Sequence, residues 1–378
     1  MSPVVGEVQR ARLHKTFAEV CAIPSPTRHE RGVADWLTRE LASMGLAVQE
    51  DDCGSRVGAD AGNLLVRLPG TGQTTVLLCA HMDTVPPQAA LQPVQRDGNW
   101  INAEPGIIGA DNKAAVAAMV ELARLWRPAD RCLPAVGVEL LFTISEEDGL
   151  RGAREFDLGR LKSSFGYVFD HGSPVGEIIT ASPTYMRIEA EFRGRAAHAG
   201  VAPERGVNAI TAAAAAIVNM PQGRLDSGTT ANVGMVSGGT AANVVAERCQ
   251  ITAEVRAIEQ TQLGRYVAET VDVLEDAANT AGCDVSVSLQ EMFAGYKLGE
   301  RDRTVALASR ALRRIGYEPT RRSSAGGSDA NAFRSAGFAC TNLANGTENA
   351  HEPAERVSLA SLEANLELML ALLEEAAA

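Results

Sequence analysis

Five short segments carry residue types suited to metal chemistry. In TVLLCAHMDTVPP an unbroken apolar stretch runs into His81-Met82-Asp83. In a strand, the period of two sets His81 and Asp83 on the same side, and at the carboxyl end of a parallel strand they face the crevice where α/β folds bind ligands. A metal-binding histidine needs its second ring nitrogen held, which a carboxylate two residues on can do; the alternative is a surface histidine with an accidental neighbour. In GIIGADNKAAVAAMVE, Asp111 lies between a glycine-containing turn and a helix, either facing a cleft or capping the helix. LLFTISEEDG sets Glu146, Glu147 and Asp148 after another apolar run, as chemical groups or as a solvated loop. YVFDHG puts Asp170 after a short apolar stretch, and ENAHEP puts His351 in a loop before the last helix, where a lone histidine is generally a surface residue.

The combination is less ordinary than its parts. His81, Asp111, Glu147, Asp170 and His351 supply imidazoles and carboxylates without a thiolate, a donor set that suits zinc, cobalt or manganese. One carboxylate bridging two divalent ions would hold them about 3.5–4 Å apart, as in two-metal hydrolases. Five ligands also exceed the four of a closed structural zinc site. A chain of 378 residues buries about three quarters of its unfolded surface, so its core needs no metal and any metal points to catalysis.

The elements that must position these residues follow from the hydrophobic pattern. Val33, Trp36, Leu37, Leu41 and Met44 recur at helical spacing, and Gly45 ends the run. Asn63–Leu68, Thr75–Ala80, Ala135–Ile144 and Gly166–Phe169 read as strands, and the runs without polar alternation suit strands buried on both faces. With a helix at Asn112–Trp126, the alternation predicts an α/β fold with a doubly wound sheet. The pattern then changes, because Tyr185–Arg193 (YMRIEAEFR) alternates strictly, as a strand with one face in water. Helix Val207–Asn219, strands near Asn232–Val236 and Arg248–Arg256, helix Thr261–Ala278 and strand Asp284–Leu289 complete β-α-β-β-α-β, the ferredoxin-like order. We read residues 182–292 as a domain inserted into a catalytic domain made of 1–181 plus 293–378. The last helix shows one stripe, Leu359, Leu362, Leu366, Met369 and Leu373, with Ser358 as its cap.

Composition excludes several classes. Lys plus Arg is 35 against 47 for Asp plus Glu, a net charge of −12, which repels phosphate backbones and argues against nucleic acid. No run of 18 apolar residues offers a membrane span, and the opening MSPVVGEVQRARLHK lacks a signal peptide's apolar core. Seven scattered cysteines without a CxxC pair, with Cys79, Cys132 and Cys340 in apolar runs, suit a reducing cytoplasm. His14 and His29 read as surface residues, His171 as a neighbour of the cleft rim, and Arg313, Arg314, Arg321 and Arg322 as a solvated face.

HMDTVPP, GADNKAAVA, SEEDGLRGA, FDHG, GRAAHAGVAPERGVNAI, GGTAANVVAERC, GGSDAN and NAHEP, in this order, resemble the co-catalytic dizinc exopeptidases of the peptidase T, carboxypeptidase G and aminoacylase superfamily, over nearly the whole chain. AAHAGVAPERGVNAI resembles the peptidase T-like branch most. The resemblance implies two divalent ions, zinc first with cobalt or manganese as alternatives. It implies that His81 and Asp170 hold one ion, Glu147 and His351 the other, and that Asp111 bridges them through a turn with a cis bond to Asn112. It further implies that Asp83 orients His81, that Glu146 is the general base and acid, and that His198 of the inserted domain steadies the oxyanion. Asn243, Arg256, Gly327 and Ser328 would contact substrate, although Ser328 also reads as an ordinary helix start. The proline that many relatives carry is replaced by Ala246 in GGTAANVVA, so the substrate loop is expected to differ. The implied function is hydrolysis of short peptides by a cytoplasmic tripeptide aminopeptidase, with the insert serving as lid and homodimer surface. The alternatives are an amidohydrolase or carboxypeptidase of the same chemistry and, in a different class, an inert peptide-binding protein.

Overall fold

The structure is a computed structural model that describes residues 5–126, 134–172 and 174–378; Cys132 lies outside them. The chain divides into a larger unit, Met1–Thr180 with Leu298–Ser323 and Ser328–Ala378, and a smaller one, Ala181–Lys297 with Ser324–Gly327. Phe293–Lys297 and the Ser324–Gly327 loop thus stand with the smaller unit rather than at the sequence-based division. Strand Asp284–Phe293 continues past Leu289, and Gly327 packs so tightly on the Phe293 ring that a Cβ would meet it at 2.5 Å.

Four parallel strands form the middle of the larger unit's sheet, in the order Gly137–Thr143, Thr75–His81, Phe165–His171, Ala339–Ala344. From Val76 onward Thr75–His81 is buried at every position, as its unbroken apolar sequence requires. The margins are antiparallel: Leu64–Leu68 pairs with Gly137–Thr143, Val48–Glu50 with Leu64–Leu68, and Glu177–Ser182 with Ala339–Ala344. The sheet is therefore mixed. The chain between Leu68 and Thr75 is far shorter than the dozen residues a parallel crossover needs.

Helix Ala110–Leu125 is buried along almost its whole length. Its one deeply buried acid near the carboxyl end, Glu121, receives Arg12 at 2.5 Å and Arg124 at 3.3 Å, and Arg124 also reaches Glu40 at 2.7 Å. These pairs tie helices Glu7–Cys21, Arg31–Ser43 and Ala110–Leu125 together. Helix Leu359–Ala377 buries Leu362, Leu366, Met369 and Leu373, and Ser358 caps it by accepting the Ser361 N–H at 3.0 Å. A small antiparallel sheet of Pro93–Arg96, Asn99–Asn102, Arg356–Ser358 and Thr347–Glu348 is absent from the sequence reading, because strands of two to four residues carry no measurable period.

The smaller unit has an antiparallel sheet in the order Gly223–Asp226, Thr229–Gly238, Arg248–Ala257, Thr184–Arg193, Asp284–Phe293, with helices Ala209–Asn219 and Gln260–Ala281. Apart from the short added strand Gly223–Asp226, this is β-α-β-β-α-β. Ile188, Ala190 and Phe192 bury one face of the alternating strand in that unit's core. Strand Gly223–Asp226 covers only Thr229–Ala231, which leaves Asn232–Gly238 as a free edge beside exposed Met235 and Val236.

Candidate metal centre

Strand ends of the larger unit bring the singled-out residues together. His81 closes its strand, Glu146 and Glu147 lie in the turn after Gly137–Thr143, and Asp170 lies near the end of Phe165–His171. Asp111 sits in the first turn of helix Ala110–Leu125 with non-helical backbone and a cis bond to Asn112; the cap is Gly109, so Asp111 is no helix cap. His351 occupies the loop between Thr347–Glu348 and Arg356–Ser358.

His81 Nε2 stands 3.3 Å from both Asp111 Oδ1 and Asp170 Oδ1. His351 Nε2 stands 2.8 Å from Glu147 Oε1 and 3.5 Å from Asp111 Oδ2. The two oxygens of Asp111 therefore face different histidines. Donor atoms of His81, Glu146 and Asp170, and again of His81, Asp111 and Glu147, lie within 4.8 Å of one another. Asp148, the third acid of its run, turns away and pairs with Arg28 and Arg151.

Crowding sets the electrostatics. Burial favours a neutral His81, yet Asp170, Asp111 and Asp83 raise its pKa well above the usual imidazole range. Burial pushes Asp170 up to about 8 against the pull of His81. Glu146 is raised well above the carboxylate range by burial and by Asp170, and Glu147 is raised by burial. Burial works against ionised Asp111, but His351 and His81 hold its pKa well below normal. Hydrogen bonds to Asp111 and Glu147 bring His351 up to about 10.

The side chains fit a cation. His81 Nε2 and Asp111 Oδ1 are buried without a hydrogen-bond partner among the described residues. His81 Nδ1 lies 2.9 Å from the Asp83 carbonyl oxygen, which can only accept, so in the neutral ring Nε2 carries the lone pair. Buried polar atoms left unpaired are costly, and divalent ions would satisfy both and offset the packed carboxylates.

Asp83 holds more than His81. Its carboxylate is 3.3 Å from His81 Nδ1, but its hydrogen bonds go to the Glu146 N–H at 3.0 Å, the Glu147 N–H at 3.2 Å and the Thr27 hydroxyl at 2.9 Å. Glu30, fully buried, accepts the Ser145 N–H at 3.0 Å and its hydroxyl at 3.1 Å, where Ser145 has φ +50°. Two carboxylates thus grip the backbone that carries Glu146 and Glu147. Asn342 exchanges amide hydrogen bonds with the Asp170 backbone, each 2.9 Å. Sequence reasoning missed Glu30, Asn342 and the buried Glu355, which stand in segments without apolar periodicity. Lys113, fully buried and donating to the Ile23 carbonyl at 2.7 Å, had a visible signal: a cation in the alanine-rich first half of its helix.

In the smaller unit His198 and Asn243 are exposed and their loops are joined: the Ala199 N–H donates to the Asn243 carbonyl at 2.9 Å. The Arg256 guanidinium lies 4.3 Å from the Tyr185 ring centroid and pairs with Glu254 at 3.1 Å. Ser328 begins helix Asp329–Ser335 in a reciprocal cap with Asn331, its helix-start role. His14 is not a surface residue: it accepts from the Trp100 indole at 3.0 Å and contacts Glu363. Arg313, Arg314, Arg321 and Arg322 form exposed ion pairs. No helix among the described residues is long and apolar enough to cross a membrane.

Comparison with known proteins adds the family. The pattern of a peptidase dimerisation domain matches residues 180–281, and that of peptidase family M28 matches 63–170, the stretch from before His81 to Asp170. The crystal structure of aminopeptidase PepT from Bacillus cereus is 39% identical, with 98% of this chain and 99% of that one covered and a TM-score of 0.86. A tripeptidase from Staphylococcus aureus is 32% identical over 97% of this chain and 98% of its own, with a TM-score of 0.90. The uncharacterized protein YqjE of Bacillus subtilis is 38% identical over 98% of this chain and 100% of its own length. With this likeness running end to end and a two-cation donor set at its strand ends, the chain belongs to the M20 family of metallopeptidases, on the branch of peptidase T and the tripeptidases.

Proposed function

We propose that the protein is an aminopeptidase acting on tripeptides, with zinc as its metal. The observation that carries this reading is the convergence of His81, Asp111, Glu147, Asp170 and His351 around shared Asp111, with Glu146 beside them. His81 and Asp170 would hold one ion, Glu147 and His351 the other, and Asp111 both. Bound divalent ions supply Lewis acidity and lower the pKa of water from 15.7 toward about 7. Glu146, whose burial and acidic neighbours raise its proton affinity, takes a proton at its carboxylate and returns it to the leaving amine. Asp83 keeps Glu146 and Glu147 aimed apart by holding both backbone N–H groups. His198 donates to the developing oxyanion, and Asn243, Arg256, Gly327 and Ser328 contact the peptide.

The two solved relatives whose names state aminopeptidase and tripeptidase activity support the substrate class. The matched dimerisation domain, the free strand edge and exposed Met235, Val236 and Val218 support a homodimer formed through the smaller unit. Six buried free thiols among the described residues support a reducing, cytoplasmic location. Assay of the zinc-loaded protein against tripeptides, blocked dipeptides and N-acetyl amino acids tests the reading. Turnover of free tripeptides is expected; preference for N-acetyl amino acids would overturn it.

A further inference from the structure

One buried side chain joins the segment bearing Asp111 to the segment bearing His351. Glu355, 2% exposed, accepts the N–H groups of Ile108 at 2.7 Å and Gly109 at 2.6 Å through Oε2, and that of Asp111 at 3.0 Å through Oε1. Gly109 has φ +76°, and a Cβ there would press on Thr84 at 3.2 Å, so the turn is open to glycine and little else. Backbone N–H groups converging in this way form an anion cradle, here filled by the protein's own carboxylate. Glu355 ends the loop whose tip carries His351. That loop is tied again where the Gly106 N–H donates to the Pro353 carbonyl at 3.2 Å, and its following strand, Arg356–Ser358, pairs with Asn99–Asn102.

We propose that Glu355 is a positioning residue for the metal centre: its carboxylate fixes Asp111 between His81 and His351. The inference builds on the reading of Asp111 and His351 as metal ligands. Asp111 meets His81 through Oδ1 and His351 through Oδ2, so rotating its turn disturbs both contacts at once. Without Glu355 two buried N–H groups and the part-buried one of Asp111 lose their acceptor, and the turn must move to find others. Loss of a partner of this kind lowers metal affinity by about 10–100-fold.

The test titrates metal-free protein with Co2+, followed by visible absorption and by competition with a chromophoric chelator. The proteins are wild type, Glu355→Gln, Glu355→Asp and, as a control, Glu121→Gln, a fully buried acid held by Arg12 and Arg124 instead. The wild type is expected to bind two ions and Glu355→Gln to bind at least one of them about tenfold more weakly or worse. Glu355→Asp should lie between, and Glu121→Gln should lose thermal stability while keeping wild-type affinities. Amide exchange over residues 106–112 should quicken in Glu355→Gln and not in Glu121→Gln, whatever the metal content. Unchanged affinities and exchange in Glu355→Gln overturn the proposal, as does an equal weakening in Glu121→Gln. Should the Gln variant fail to fold, the Asp variant decides by the same criteria. A wild type that binds fewer than two ions overturns the two-ion reading, and the exchange experiment still judges the clamp.

Discussion

The strand ends of the larger unit and the loops of the smaller unit use their polar residues in opposite ways. Around His81 most side chains aimed at the candidate ions are braced from behind: Asp83 and Glu30 hold the Ser145–Glu147 backbone, Asn342 holds Asp170, and Glu355 holds Asp111. The His198 side chain is exposed and among the described residues accepts only the Gly200 N–H, at 3.2 Å through Nδ1, although its backbone carbonyl accepts from Val201 and Ala202. A braced site is preorganised, so its charges need not rearrange during reaction, but it commits buried carboxylates that only cations and backbone donors can satisfy. The exposed His198 side chain commits no buried charge of this kind. Substitutions of the ligands and of their braces in the first region should therefore move binding, stability and rate together, whereas those of the proton shuttle Glu146 and of His198 should move rate alone.

Glu146→Gln should produce the largest change in rate, lowering kcat by about 10²–10⁴-fold while calorimetry still finds both ions bound; loss of metal would place Glu146 among the ligands. His198→Ala sharpens the contrast. We expect kcat to fall by about 10²–10³-fold, the size of one lost oxyanion donor, with an unchanged thermal midpoint, and a lowered midpoint would show that the loop is braced after all. Glu30 offers a test through pH. Burial, reinforced by Asp83, pushes its pKa up to about 7 from 4.5, so its protonated form stabilises the fold below about pH 4.5 and that contribution is lost as pH rises through 7. The loss is of order 3 kcal/mol. Denaturant titrations at pH 5 and 8 should show it in wild type and a flatter profile in Glu30→Gln. The smallest effect on chemistry should come from Val236→Lys, which on the proposed homodimer should shift sedimentation from dimer toward monomer and leave the metal content unchanged.

The same contrast explains what could be read from the sequence. Residues at the ends of unbroken apolar runs, such as His81 after TVLLCA, are legible because burial on both faces marks the strand and the strand marks its end. The whole β-α-β-β-α-β insert is legible because YMRIEAEFR and its partners alternate cleanly. The braces are not legible: Glu30 and Glu355 stand in polar segments, and only the folded chain brings them under Ser145 and Ile108. At Ser328 the sequence offered two readings, and its helix-start role is the one visible in the fold, where it caps Asp329–Ser335. His14 looked solvated for want of any local sign that Trp100, far along the chain, would cover it.

The bare edge at Asn232–Gly238 bears on handling. Unpaired strand backbone is a template for any extended polypeptide, and here it sits beside Met235 and Val236. In the proposed homodimer two copies shield it, and dilution then becomes a hazard, since each dissociated subunit would offer a sticky ribbon. Activity lost from dilute stocks should then be recovered by concentration or a carrier protein if added early, and trapped in aggregates if added late.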